Sequence, residues 1–421
     1  MAHQRPPDVA SDDAEPSAAA LPPEPSTPEV ALPLLTDPLG GIPHVIETER
    51  DLQAAAEAIA GGEGSVALDA ERASGYRYSQ RAYLVQVRRE GAGSFLIDPI
   101  ACPDLSPIND AIGGAEWILH AATQDLACLA EVGLHPRQLF DTELAARILG
   151  LPRVGLSAVV EHYLGVSLAK EHSAVDWSTR PLPEPWLRYA ALDVEVLGEL
   201  RNLMGVDLAM SGKSEWARQE FDSLLTWAPT EKAEPWRRLH GLAALRGRRG
   251  YAVARELWYA RDAIARDRDI AAGRIANDRI LIEIAEKAPT SVEELPAGHR
   301  PIARYGRQWV RAVRVGLDLA EADLPLRTVR SEGPPPARSW ADRDPEAAAR
   351  LSNVRAALGA ISEEKHIPVE NLCSPEPLRR VIWTPPATHD ETAFREALAA
   401  QGVRPWQQDI VAPILASAFA A

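Results

Sequence analysis

SVALDAERASGYRYSQRAYLVQVRREGAGSFLID, residues 65–98, holds three apolar runs in succession: SVALDAE, YLVQVRRE and SFLIDP. Each has strand length and is bounded by polar or glycine-containing segments, which predicts three strands joined by short turns and paired antiparallel. The first run is Val66-Ala67-Leu68 followed by Asp69 and Glu71. Residues two apart on a strand leave the same face, so both carboxylates face one way at the end of a buried strand. A carboxylate placed there is costly unless it is paired or bound to a metal.

Outward from this segment, PHVIET precedes the Ala-rich helix DLQAAAEAIAGG, and EWILHAA reads as a further strand. QDLACLAEVGL is predicted as a helix opened by Thr123 as N-cap. Helical periodicity then runs through TELAARILGL, LSAVVEHYLG and PWLRYAALDVEVLGELRNLM. Strands interleaved with helices indicate an α/β domain with a mixed sheet. After Met204 strand signals stop. SEWARQEFDSLLTWA is predicted as a linker helix, and two helical modules follow, separated by the break PPPARSW. The expected partition is a disordered tail over 1–33, an α/β domain over 34–205, a linker over 206–230, and helical domains over 231–316 and 340–421.

The chain has 421 residues, of which 46% are apolar, enough for several cores. The Pro/Ala/Ser/Glu-rich leading stretch lacks a basic segment followed by an apolar one, so a signal peptide is not expected. No window supports a membrane span. Cys102, Cys128 and Cys373 suggest neither a disulfide framework nor a zinc site, and a cytoplasmic protein is expected. The net charge of −15 conceals a segregation: residues 232–316 carry 18 Lys/Arg against 10 Asp/Glu. That local basic balance suits a module that tracks phosphates.

Two further acidic segments join the first. Asp125 lies in HAATQDL, and Tyr189 stands four residues before Asp193 in YAALD, so that pair shares a helix face. Three such segments converging make a site for hard divalent cations, which prefer oxygen ligands. Two ions about 3.5–4 Å apart clamp the attacking and leaving oxygens of a phosphodiester. A metal-dependent nuclease is the resulting reading. Asp141-Thr142-Glu143 imitates the first motif more closely than Asp69-Ala70-Glu71 does. It sits where a helix begins, however, and is expected to cap it.

With these motifs in this order the chain resembles ribonuclease D of the DEDD 3′-to-5′ exonuclease superfamily, in the subgroup whose third motif carries a tyrosine. LDAE resembles the first exonuclease motif, HAATQDL the second, and FDTELAARILG followed by DWSTRPLPEPWLRYAALDVEVL the approach to the third. The resemblance implies an RNase H-like exonuclease fold over about Val45 to Met204. It implies that Asp69, Glu71, Asp125 and Asp193 hold two divalent ions, Mg²⁺ or Mn²⁺, and that Tyr189 orients the attacking water. EPWRRLHGLAALRGRRGYAVARELWYARDAIARDRDIAAGRIANDRILIEIAEKAPTSVEEL is similar to the helicase-and-RNase-D C-terminal (HRDC) domain, and the stretch from about Asp344 resembles a second, more divergent copy. The implied activity is removal of 3′ nucleotides as 5′-monophosphates from tRNA precursors or other structured RNA. A 3′-to-5′ DNA exonuclease and a retired nucleic-acid-binding adaptor are the alternatives. Polymerase and helicase ATPase motifs, the GxxxxGK[ST] loop among them, are absent, which favours RNA over DNA, and no nucleotide cofactor is expected. His120, Lys170 and Arg180 are candidates for phosphate contact, as are Arg246, Arg248 and Arg249 in the first helical module.

Overall fold

A computed structural model describes residues 32–169, 174–230, 233–328 and 333–420. Almost all of the expected tail, and Lys170, therefore lie outside the described residues. From Pro33 onward the chain forms one unit.

Its first part is built on a six-stranded mixed sheet in the order β2-β5-β4-β3-β6-β7. The strands are β2 (Val45–Ile46), β3 (Glu63–Arg72), β4 (Ala82–Glu90), β5 (Gly93–Ile97), β6 (Trp117–Leu119) and β7 (Leu139–Asp141), while β1 (Leu34–Leu35) pairs separately with β8 (Ser167–Leu168). The predicted β3-β4-β5 meander is antiparallel; β2, β6 and β7 join it in parallel. Only one of the two expected short turns is short. Gly91-Ala92 links β4 to β5, whereas residues 73–81 form a longer excursion between β3 and β4.

Strand alternation sorts the core. Val66, Leu68 and Ala70 of β3 join one apolar cluster with helices α1 (Glu49–Ala60), α2 (Ser106–Ile112) and α3 (Leu126–Glu131). Ala67 faces the other side, toward α4 (Thr142–Leu149), α5 (Leu156–Leu164), α6 (Glu184–Glu195) and α7 (Leu197–Met210). Helix α1 starts where the Thr48 side chain accepts from the Asp51 N–H, with Glu49 and Asp51 in its first turn to match the helix dipole.

The expected linker is not a spacer. In α8 (Ser214–Leu224), Phe221 lies against Phe140 with ring centroids 4.8 Å apart, while Trp216 stacks on Trp406 at 4.9 Å. One helix thus serves the α/β core and the C-terminal core at once. Beside it, the buried Lys213 donates to the carbonyls of Ile148 and Lys365 at 2.8 and 2.7 Å, satisfying the exposed ends of two helices.

The second part contains α9 (Gly247–Arg268), α10 (Ala272–Ile275), α11 (Asp278–Lys287), α12 (Arg300–Arg304) and α13 (Gly306–Asp318) around Trp236, Leu257, Leu281 and Trp309. The third comprises α14 (Trp340–Arg343), α15 (Pro345–Lys365), α16 (Val369–Leu372), α17 (Pro375–Trp383), α18 (Glu391–Ala399) and α19 (Pro405–Ala420) around Trp340, Phe394 and Trp406. The three cysteines are free and buried. Among the described residues no helix is long and apolar enough to cross a membrane.

Candidate active site

Asp69 and Glu71 emerge on the side of β3 opposite Ala70, whose side chain packs in the core. Helix α6 brings Tyr189 and Asp193 to that side, anchored by Ala190 and Ala191 in a cluster with Leu84, Leu96 and Trp177. Ligand oxygens of Asp69, Glu71 and Asp193 all lie within 4.8 Å of one another. Asp125 lines the same cavity of about 460 Å³, together with His120 and Tyr189. The Tyr189 hydroxyl hydrogen-bonds Asp193. The four predicted carboxylates and the tyrosine are therefore neighbours.

Their electrostatics are those of a site awaiting positive charge. Burial pushes the Asp69 carboxyl up to about 6, partly offset by the Ala70 N–H and by Arg72. Glu71 is raised by burial first and then by the charges of Asp69, Asp193 and Asp125. Asp125 and Asp193 are raised by burial and then by Asp69. Burial also raises the Tyr189 hydroxyl, with Asp193 and Glu71 adding to it, so the phenol keeps its proton. Buried like charges with an all-oxygen donor set fit a hard divalent cation. One cation of the site belongs to none of the motifs: Arg72, whose Nε lies 3.9 Å from an Asp125 oxygen. The only signal for it was its place directly after Glu71 at the end of a strand.

The second motif is shaped by a turn rather than by the predicted cap. Thr123 caps nothing. Ala121 adopts a left-handed conformation (φ 60°), Ala122–Gln124 form a single 3-10 turn, and Asp125 enters α3 without a side-chain capping bond. That leaves the Asp125 carboxylate for the cavity. Asp141 behaves as the predicted cap, accepting from the N–H groups of Glu143 and Leu144 at 2.9 and 3.1 Å. It also accepts from Ala121 and Ala122 at 3.1 and 2.8 Å, and so pins the turn that presents Asp125. His120 Nδ1 meets Thr142 Oγ1 at 2.8 Å, and that hydroxyl donates to the Leu119 carbonyl. The single hydroxyl proton is thereby used, so Nδ1 carries the imidazole proton. Burial holds His120 down at about 4, so the ring is neutral near pH 7.

The remaining expected phosphate contacts fare differently. Arg180 is not free for substrate: it holds Asp98 through Nε (2.6 Å) and Nη2 (2.9 Å) and donates to the carbonyls of Tyr83, Trp177 and Thr179. Arg248 and Arg249 turn inward as well. Arg248 donates to the Leu324 carbonyl, and Arg249 to the carbonyls of Leu317 and Leu319. Both face Glu321. The dense cluster thus fastens the end of α13, with Arg246 outside that lattice.

Residues 73–81 tie the site to the second part of the chain. Ser74 and Gly75 line the cavity. Beyond them, Tyr78 donates to Asp262 (2.9 Å), the Ser79 N–H to Asp269 (2.9 Å), and Arg274 to the Gly75 carbonyl (2.7 Å).

With this geometry in hand, comparison with known proteins is specific. Residues 43–209 match the family described as 3′-5′ exonuclease, residues 251–313 the HRDC domain, and residues 333–419 the family described as 3′ to 5′ exonuclease C-terminal domain. The chain is 31% identical over 303 residues to ribonuclease D of Jannaschia sp., covering 68% of this chain and 77% of that one. It is 33% identical over 291 residues to ribonuclease D of Zymomonas mobilis, covering 63% and 70%. Among solved structures, a protein from Bifidobacterium adolescentis superposes with a TM-score of 0.85 at 38% identity, over 93% of this chain and all of that one. Escherichia coli RNase D, described as an exoribonuclease involved in structured RNA processing, superposes with a TM-score of 0.66 at 25% identity, over 90% and 98%.

Proposed function

The chain belongs to the ribonuclease D family, and from that premise we propose that it trims structured RNA, tRNA precursors included, by hydrolysing the last phosphodiester with two divalent ions. Its fold is an RNase H-like exonuclease domain followed by a helical HRDC region, and its activity is that of a 3′-to-5′ exoribonuclease. The observation that carries the metal reading is the 4.8 Å convergence of oxygens from Asp69, Glu71 and Asp193.

Asp69, Glu71, Asp125 and Asp193 are the residues that would hold the ions. Bound divalent ions supply Lewis-acid activation of water and stabilise charge on the leaving 3′ oxygen. The protein's own groups do the rest. The protonated Tyr189 hydroxyl, fixed by Asp193, positions the attacking water, a role that lowers the entropic part of the barrier. Neutral His120, with Nδ1 committed to Thr142, keeps Nε2 as an acceptor at the cavity wall. Asp141 acts one step back, by fixing the turn before Asp125.

The test is a degradation assay with matched 3′-tailed RNA and DNA oligonucleotides in Mg²⁺, Mn²⁺ or EDTA. Stepwise loss of 5′-monophosphates from the RNA 3′ end, abolished by EDTA, is expected. Equal cleavage in EDTA overturns the metal assignment. Preference for the DNA strand overturns the substrate assignment.

A further inference from the structure

Four arginines at the end of the second module stand apart from the rest. Arg304 closes α12, and Arg307, Arg311 and Arg314 follow along α13 at spacings of three, four and three residues. At 3.6 residues per turn Arg307, Arg311 and Arg314 fall in one stripe about 60° wide on α13, while Arg304 precedes the helix break at Tyr305. All four are exposed, and among the described residues none makes an ion pair or a hydrogen bond. Arg304 only lies over the Tyr305 ring, 5.5 Å from its centroid.

Several helical arginines elsewhere are paired: the exposed Arg218 and the half-buried Arg380 and Arg395 each have an acid one turn away and bond it. Three or four residues from Arg307, Arg311 and Arg314 stand Ala303, Gln308, Val310, Val315, Leu317, Asp318 and other arginines. Asp318, at the end of α13, is the sole acid within a turn, and it makes no ion pair with Arg314. A row of like charges at these spacings weakens a helix, so packing must hold α13 in place. Its opposite face does so. Trp309 and Val313 are buried, and Gly316 lies so close to α9 that a Cβ there would come within 2.6 Å of the Val253 Cα. The arginines thus project from a rigid platform, on a chain whose net charge of −15 otherwise repels polyanions.

We infer that the Arg307–Arg311–Arg314 stripe of α13 is the surface that carries RNA upstream of the 3′ end being cut. The inference rests on the exoribonuclease reading above. From Arg307 to Arg314 the helix axis advances about 10 Å, so the planar guanidinium forks can engage successive phosphates of one strand. Such contacts are independent of base sequence and weaken with salt.

The experiment compares the full chain with a variant carrying Arg307→Gln, Arg311→Gln and Arg314→Gln. Binding of an RNA of about 30 nucleotides is followed by fluorescence anisotropy in EDTA across a salt series. Turnover of that RNA and of a trinucleotide is measured in Mn²⁺. Expected are an affinity loss of at least about tenfold at low salt and a log–log salt slope shallower by about 2, for three phosphate contacts on a single strand. The thermal midpoint is unchanged, and the loss on the long RNA exceeds that on the trinucleotide. Three lysines at the same positions restore most of the affinity, and Arg355→Gln on the exposed face of α15 has no effect. Unchanged affinity and slope overturn the stripe, as do equal losses on both substrates. Failure of the unaltered chain to cleave any RNA overturns the exoribonuclease reading instead, and the EDTA binding result still decides the stripe.

Discussion

Arg274 of α10 donates a 2.7 Å hydrogen bond from Nε to the Gly75 carbonyl, and its guanidinium lies 4.1 Å from the centroid of the Tyr76 ring. Gly75 lines the cavity of the four carboxylates. The second helical part therefore holds the rim of the site, besides whatever RNA it binds. Removal of everything after about Leu225 is expected from charge alone to hurt long substrates more than short ones. The rim contact adds a loss on short substrates too. Arg274→Ala in the full chain is expected to lower kcat/KM for a short oligonucleotide several-fold with little change in thermal midpoint. An unchanged value removes the coupling.

Asp193→Asn is expected to abolish measurable turnover while leaving RNA affinity in EDTA near that of the unaltered chain. Tyr189→Phe retains the ring and loses the hydroxyl that meets Asp193. Its loss of kcat is expected to be smaller, at most roughly a hundredfold, as befits a positioning group. Single-turnover kinetics with saturating enzyme separates the two variants, and the reverse order of severity contradicts the assigned roles.

The raised carboxyls make stability and metal binding depend on pH in a defined direction. In the folded chain Asp69 is pushed from its ordinary 3.8 up to about 6, so the fold binds its proton more tightly than the unfolded chain does. That contribution is fully present below about pH 4 and is lost as pH rises through about 6. Glu71, Asp125 and Asp193 are displaced the same way. Calorimetry of metal-free protein is expected to show stability from this site falling across that window. Saturating Mn²⁺ raises the thermal midpoint more at pH 7.5 than at pH 5, because the ion binds the deprotonated carboxylates. A pH-independent Mn²⁺ effect contradicts the prediction.

Arg180→Ala strands the Asp98 carboxylate, which is 3% exposed as a residue. A loss of about 3–5 kcal/mol in urea unfolding is expected. At temperatures where the variant stays folded, its KM for RNA is unchanged. A raised KM with full stability instead makes Arg180 a phosphate contact.

Gln86 stands directly across from Asp69 in the β3–β4 register, fully buried, with neither amide atom hydrogen-bonded to the protein. Directly opposed residues share a face of the sheet. Gln86→Leu removes an unsatisfied amide and is expected to raise stability by about 1 kcal/mol or more. Because neither amide atom bonds the neighbouring carboxylate, Mn²⁺ affinity is expected to stay near that of the unaltered chain. Urea unfolding checks the first expectation and titration calorimetry the second; a lower urea midpoint or a tenfold loss of Mn²⁺ affinity contradicts them.

What could be read in the chain was what repeats locally. Alternation in Val66–Glu71 placed two carboxylates on one face, and a four-residue step placed Tyr189 with Asp193. The cap role of Asp141 was equally local. Its bonds to Ala121 and Ala122 were not, because those donors arrive through the parallel pairing of β6 with β7. Thr123 misled because the left-handed Ala121 resets the turn, and alanine rarely takes that conformation without tertiary support. The intramolecular partners of Arg180, Arg248 and Arg249 were not legible, for one reason. Their partners lie far along the chain, and a basic residue looks the same whether it meets a phosphate or a carbonyl.

Helix α8 belongs to two apolar cores, through Phe221 on one side and Trp216 on the other, with Lys213 bonded to a helix end from each. It cannot melt with either core alone. In native-state hydrogen exchange its amides should open only when both cores do, making the exonuclease domain and the C-terminal module one cooperative unit. The module between them, fastened through residues 73–81, is then the part free to open separately. A protease that nicks the folded chain should find that middle piece first.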